Sequence, residues 1–115
     1  MKHMKRIAMI MILAAFLVGC GGKPKRMDQN TYDLGCKALE IMDSYNKMEI
    51  DKDSAYDQLG EIYDRLKTRE FGENEDDQEF QNGLVTADIL CYQVAITSGS
   101  DLIKKSDNLR KTLNK

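Results

Sequence analysis

Three cysteines, Cys20, Cys36 and Cys91, are the side chains of this chain with the most chemistry to offer. A thiol can attack as a nucleophile, bind a soft metal or close a disulfide. Thiol catalysis needs a base within hydrogen-bond reach, usually a histidine, and the only histidine is His3, at the extreme N-terminus. Zinc is served no better, because Cys36 and Cys91, 55 positions apart with no histidine nearby, give no tetrahedral set. No metal site and no cofactor are expected. Cys36 and Cys91 could instead pair as a disulfide, restricting the unfolded chain by about 4 kcal/mol. Against the bridge, Cys36 falls away from the main apolar stripe of its segment, near Tyr32 and Leu39, while Cys91 lies in the middle of a stripe expected in the core. A bridge needs Cα atoms within about 7 Å. The alternative is two separate thiols, one buried as a small hydrophobe and one partly exposed.

Carboxylates are the second group. Glu70, Glu73, Glu75, Asp76, Asp77 and Glu79 crowd one short stretch. They lack the alternating ligands and fixed glycine of a calcium loop. Acidic residues just before and within a first helical turn are favoured by the positive end of the helix, which explains them without a metal. Paired carboxylates for glycoside hydrolysis would need a cleft to flank, and the chain has no Trp to hold a sugar. Tyr45, Tyr56 and Tyr63 fit apolar stripes, where packing is their ordinary role.

Cys20 has a different setting. Lys2, Lys5 and Arg6 precede an unbroken apolar run from Ile7 to Val18, followed by Gly19 and Cys20. A basic start, an apolar core of this length and a small residue before the cut are the layout of a secretory signal peptide. Crossing the hydrocarbon of a bilayer takes about 20 apolar residues, and the run stops short of that at Gly21, Gly22, Lys23 and Pro24. The segment Leu17-Val18-Gly19-Cys20 resembles the lipobox of bacterial prolipoproteins, in which a branched apolar residue, a small or β-branched residue and Gly, Ala or Ser precede the cysteine. The resemblance covers the first 20 residues. It implies that Cys20 receives a covalent diacylglycerol and that a dedicated peptidase cuts between Gly19 and Cys20. Two acyl chains hold a protein on a membrane stably where one does not. Lys23, Lys25 and Arg26 beyond the anchor could add attraction to anionic lipid.

These assignments divide the chain into a cleaved leader (1–19), a lipidated tether (20–30) and a folded body (31–115). Fully extended, the tether reaches about 35 Å at most, so the body stays close to the lipid surface. Residues 27–115 hold 11 basic and 19 acidic side chains, a net charge of −8, the wrong sign for a nucleic-acid partner. The body has no proline and is rich in helix formers, so it is expected to be all-α.

Four helical stretches follow from the spacing of apolar residues. The first, about Thr31 to Met48, aligns Leu34, Ala38, Ile41, Tyr45 and Met48. The second, about Lys52 to Arg69, aligns Ala55, Tyr56, Leu59, Ile62, Tyr63 and Leu66, with Asp51 as its N-cap. The third, about Asp76 to Ser98, has two apolar stripes on nearly opposite sides. One is Phe80, Leu84, Ala87, Cys91 and Val94; the other is Val85, Ile89, Tyr92 and Ile96. Gly99 can end this helix and Ser100 can cap the last, about Asp101 to Leu113, with Leu102, Ser106, Leu109 and Leu113 on one face. The expected architecture is a small antiparallel bundle of three long helices plus a shorter C-terminal one. The third helix sits at its centre, with helices one and two over one stripe and the fourth over the other. In a three-helix alternative, Val85, Ile89, Tyr92 and Ile96 would form a docking surface for a partner or a second copy.

The expected function is that of a small extracytoplasmic lipoprotein of the cell envelope, held on the cell membrane by lipid on Cys20. It would be non-enzymatic, binding or supporting another envelope protein. The competing reading is a thiol-dependent enzyme or redox protein using Cys36 or Cys91. A solute-binding lipoprotein ranks below both, because the chain is too short for two lobes.

Overall fold

The computed structural model describes residues 23–115, and these form an all-helical bundle of four helices. They are α1 (Gln29–Asn46), α2 (Lys52–Lys67), α3 (Asp76–Ser98) and α4 (Leu102–Thr112). Each start but one is fixed by an aspartate carboxylate that accepts from backbone N–H groups left over at the helix end. Asp28 accepts from Asn30 and Thr31 at 3.1 and 3.3 Å, Asp51 from Ser54 at 2.7 Å, and Asp101 from Lys104 at 3.1 Å. Asp51 was expected in this role; at α4 the cap is Asp101 rather than Ser100. α3 lacks a side-chain cap and instead has Asp76, Asp77 and Glu79 in its first turn. It ends at Gly99, whose φ of 72° lies where a side chain would be strained.

The packed body starts earlier than residue 31. Met27 is buried in the core, and Gln29 already begins α1. Asp28 forms an ion pair with Arg69 just beyond α2, and Arg26 pairs with Asp77 at 3.0 Å. The last residues of the expected tether therefore lie against the end of α2 and the start of α3.

The core is built from Ala38, Leu39 and Met42 of α1, Ala55, Leu59, Ile62 and Leu66 of α2, Val85, Ile89, Tyr92 and Ile96 of α3, and Leu109 of α4, with Leu113 just beyond it. Burying a side chain of the Leu, Ile or Val class is worth about 1.5–3 kcal/mol. The α2 stripe is largely as expected, although Tyr56 stands 43% exposed. On α4, Ser106, Leu109 and Leu113 face inward as expected.

On α1 the inward face is rotated from the expected one. Thr31, Gly35, Ala38, Leu39 and Met42 are buried; Leu34, Ile41 and Tyr45 are half-buried, and Met48 lies outside the helix, 92% exposed. Gly35 explains the rotation. A Cβ built there would stand 2.7 Å from Leu113 Cδ2 and 3.2 Å from Val85 Cγ1, so the missing side chain is what admits its neighbours.

The larger departure is on α3. Its Val85, Ile89, Tyr92 and Ile96 stripe is buried throughout, so it is not a docking surface. The other stripe, expected beneath α1 and α2, is open: Phe80 is 64% exposed and Val94 58%, and Leu84, Ala87 and Cys91 are exposed with them. α1, α2 and α4 all pack against α3, and they converge on its Val85 side. Polar bonds fix that orientation. Asn82 donates to the Leu66 carbonyl at 2.9 Å and accepts from the Thr31 hydroxyl at 2.9 Å. Gln93 donates to the Tyr56 carbonyl at 3.2 Å. The Tyr92 hydroxyl lies 2.7 Å from the Asn46 side-chain oxygen and 3.0 Å from the Met42 carbonyl oxygen, which share its proton.

Candidate functional site

The residues expected to carry the anchor, Leu17, Val18, Gly19 and Cys20, lie outside the described residues. Among the described residues no helix is long and apolar enough to cross a membrane.

Cys36 and Cys91 are both free thiols, so the bridge considered from the sequence is not formed. Cys36 sits half-buried on α1 between Tyr32 and Lys115. Burial pushes its thiol pKa up, against the Lys115 ammonium and hydrogen bonds from Lys115 and Tyr32, which act in the opposite sense. A nucleophilic thiol needs the reverse balance. Cys91 is not a core residue as expected but an exposed one, because its stripe of α3 faces outward.

The acidic stretch before α3 is spread out rather than focused. Asp77 is engaged by Arg26, and among the described residues no group of three or more His, Cys, Asp or Glu side chains could hold a metal ion. The described residues include two shallow grooves. One, of about 370 Å³, runs between the end of α2 and the first half of α3 and is lined by Tyr63, Lys67, Arg69, Phe71, Asn82 and Leu90, among others. Its cations lie over rings: Lys67 Nζ is 5.7 Å from the Tyr63 ring centre and Arg69 Cζ 5.3 Å from that of Phe71. The Arg69 Nε is buried without a hydrogen-bond partner, while its Nη2 holds Asp28. The other, of about 360 Å³, lies along α4 beside Lys104, Arg110, Lys111 and Lys115.

No family model, curated protein or solved structure matches this chain. Function therefore rests on the residues themselves.

The feature of the body best suited to recognition is the outer face of α3, which continues from the first groove through Leu90. The sequence marked this helix as apolar on two sides without separating the core stripe from the open one. The separating signal lay in Asn82 and Gln93, flanking the Val85 stripe and needing partners, and in Gly83 and Ala87, which offer the opposite side little to bury. Asn82, Gly83 and Gln93 do not stand out from the spacing of apolar residues, and neither does Asp88, whose carboxylate accepts from the Thr112 hydroxyl at 2.6 Å and ties α4 to α3. Burial raises the Asp88 pKa, and the Thr112 bond lowers it in part.

Proposed function

We propose that this chain is a lipid-anchored lipoprotein on the extracytoplasmic face of a cell membrane, acting as a non-enzymatic binding or accessory module of the envelope. One observation carries this reading: Leu17-Val18-Gly19-Cys20 stands at the end of a basic-then-apolar leader, where a four-residue motif has positional meaning. The position of the body agrees with it. Met27 is buried only seven residues after Cys20, so the domain would rest against the lipid surface.

The bundle that hangs there is, in this reading, antiparallel. Support comes from Asn82, near the start of α3, which joins Thr31 near the start of α1 to Leu66 near the end of α2. Short links between α1 and α2 and between α3 and α4 favour the same arrangement. The open apolar face of α3 suits a protein that works by contact.

The test is Cys20→Ser in cells of a lipoprotein-processing bacterium. The unsubstituted chain should take up labelled palmitate, lose its leader and sediment with membranes. Cys20→Ser should lose the label and appear in the soluble fraction or as uncut precursor. Equal labelling and equal processing of the two would overturn the reading, and turnover of cell-wall or lipid substrates by the purified chain would overturn its non-enzymatic part.

A further inference from the structure

α3 carries an apolar face that its own bundle leaves open. Phe80, Leu84, Leu90 and Val94 are exposed along it, with the smaller Gly83, Ala87 and Cys91 among them. From Phe80 to Ser98 the helix has a single charged side chain, Asp88, and that carboxylate is engaged by Thr112. An uncharged stripe about 21 Å long on a body this acidic is a contact surface.

We propose that this face pairs with the same face of a second copy, the two α3 helices running in opposite directions about a two-fold axis at Ala87. In that register Leu84 meets Leu90 of the other copy, Phe80 meets Val94, and Gly83 meets Cys91. The stripe is complementary to itself, as a two-fold contact requires. Small residues at its centre let the helix axes come within about 8 Å.

Charge selects this occupant and this direction. Glu73, Glu75, Asp76, Asp77 and Glu79 gather at the start of α3. α4 begins four residues after α3 ends, and its Thr112 is tied to Asp88 in the middle of α3, so the first turn of α4, with Lys104 and Lys105 and the single acidic cap Asp101, lies toward the final turns of α3. Opposed helices bring each acidic end toward the other copy's lysines, whereas helices running the same way would set the two acidic ends together. A lipid surface is a poor occupant, because α3 contains no Lys or Arg and a helix lying on a membrane is usually rich in them. One helix face buries less than the roughly 800 Å² per partner of a stable interface. The pair is therefore weak, and it gains occupancy wherever copies are concentrated. This extends the reading above but does not depend on the Cys20 anchor.

Cysteine crosslinking tests it. Gly83→Cys suits the purpose, because a Cβ there meets no atom within 4 Å. The full chain carrying Cys36→Ser and Gly83→Cys is expressed in cells and oxidised with copper phenanthroline. The expected result is a disulfide-linked band at twice the monomer mass, at least tenfold above that of the Cys36→Ser parent. Adding Cys91→Ser should abolish it, and Leu84→Glu should cut it at least tenfold with an unchanged helical circular dichroism spectrum. A band that survives Cys91→Ser in a chain that also carries Cys20→Ser joins two introduced thiols side by side and overturns the proposal. So does the absence of the band, an adduct only at another protein's mass, or indifference to Leu84→Glu. Combining the series with the palmitate test separates the readings: pairing in an unsubstituted chain that takes up no palmitate fails only the anchor, and palmitate uptake without pairing fails only the pair.

Discussion

On the inner face of α3, Val85, Ile89 and Ile96 are enclosed by the other helices, whereas on its outer face Phe80 and Val94 stand more than half exposed. Side-chain hydrophobicity does not separate the two. The polar residues do: Asn82, Tyr92 and Gln93 lie on the inward side, and each reaches a backbone carbonyl of another helix, at Leu66, Met42 and Tyr56. Turning α3 by half a rotation would bring Gly83 and Ala87 to the core, leaving volume unfilled, and would strip these bonds from the inward side. An apolar pattern thus places a helix in a bundle, and a few buried donors decide which way it faces.

The contrast is most sharply tested by matched truncations. Ile89→Ala on the inner face should lower stability by about 3 kcal/mol, because a fully buried branched side chain leaves a cavity. Val94→Ala on the outer face should change it by no more than about 0.5 kcal/mol. Urea unfolding followed by circular dichroism measures both. Similar losses at the two sites would mean that the outer stripe is packed in solution.

This division bears on what could be read from the residues alone. The caps at Asp51 and Gly99, the inward α2 positions Leu59, Ile62 and Leu66, and the α4 face of Ser106, Leu109 and Leu113 were legible, because each follows from a local rule of spacing or turn chemistry. The α1 face was not. Its packing turns on Gly35, a residue that counts for nothing on a hydrophobic stripe but decides how closely Leu113 approaches. The fate of the two α3 stripes was not legible either, since it depends on carbonyls of helices 16 to 50 positions away. Of the candidate site, the anchoring motif lies before the described residues, and the alternative docking surface, Val85, Ile89, Tyr92 and Ile96, proved to be core.

Tyr92 gives the next largest effect and a pH signature. Tyr92→Phe removes the proton shared by Asn46 and Met42 in a buried site and should cost about 1–3 kcal/mol at neutral pH. Burial, aided by Tyr45 and Asp43, raises the phenol pKa far above its ordinary value near 10. The folded state therefore keeps this proton while the unfolded chain releases it. The contribution is fully present below about pH 10 and falls as pH rises further, by up to about 1.4 kcal/mol per pH unit. Thermal melts between pH 7 and 11 should show the gap between the native chain and Tyr92→Phe closing above pH 10. A gap that stays constant would mean that the hydroxyl is not enclosed.

The smallest expected difference comes from two glycines, one on each side of the same packing problem. Alanine is favoured over glycine inside a helix by about 1 kcal/mol, so Gly83→Ala on the open face of α3 should raise the melting temperature slightly. At Gly35 the same gain is opposed by Leu113 and Val85. The Leu113 methyl is the end of a flexible side chain, but Leu113 is fully buried and has little room to yield. Overpacking of this kind costs about 1–3 kcal/mol, so Gly35→Ala should lower stability by about 1 kcal/mol after the propensity gain. Opposite signs for one chemical change would tie the rotation of α1 to that close approach. A gain at both positions would show that the core relaxes around a methyl group and that Gly35 does not set the packing.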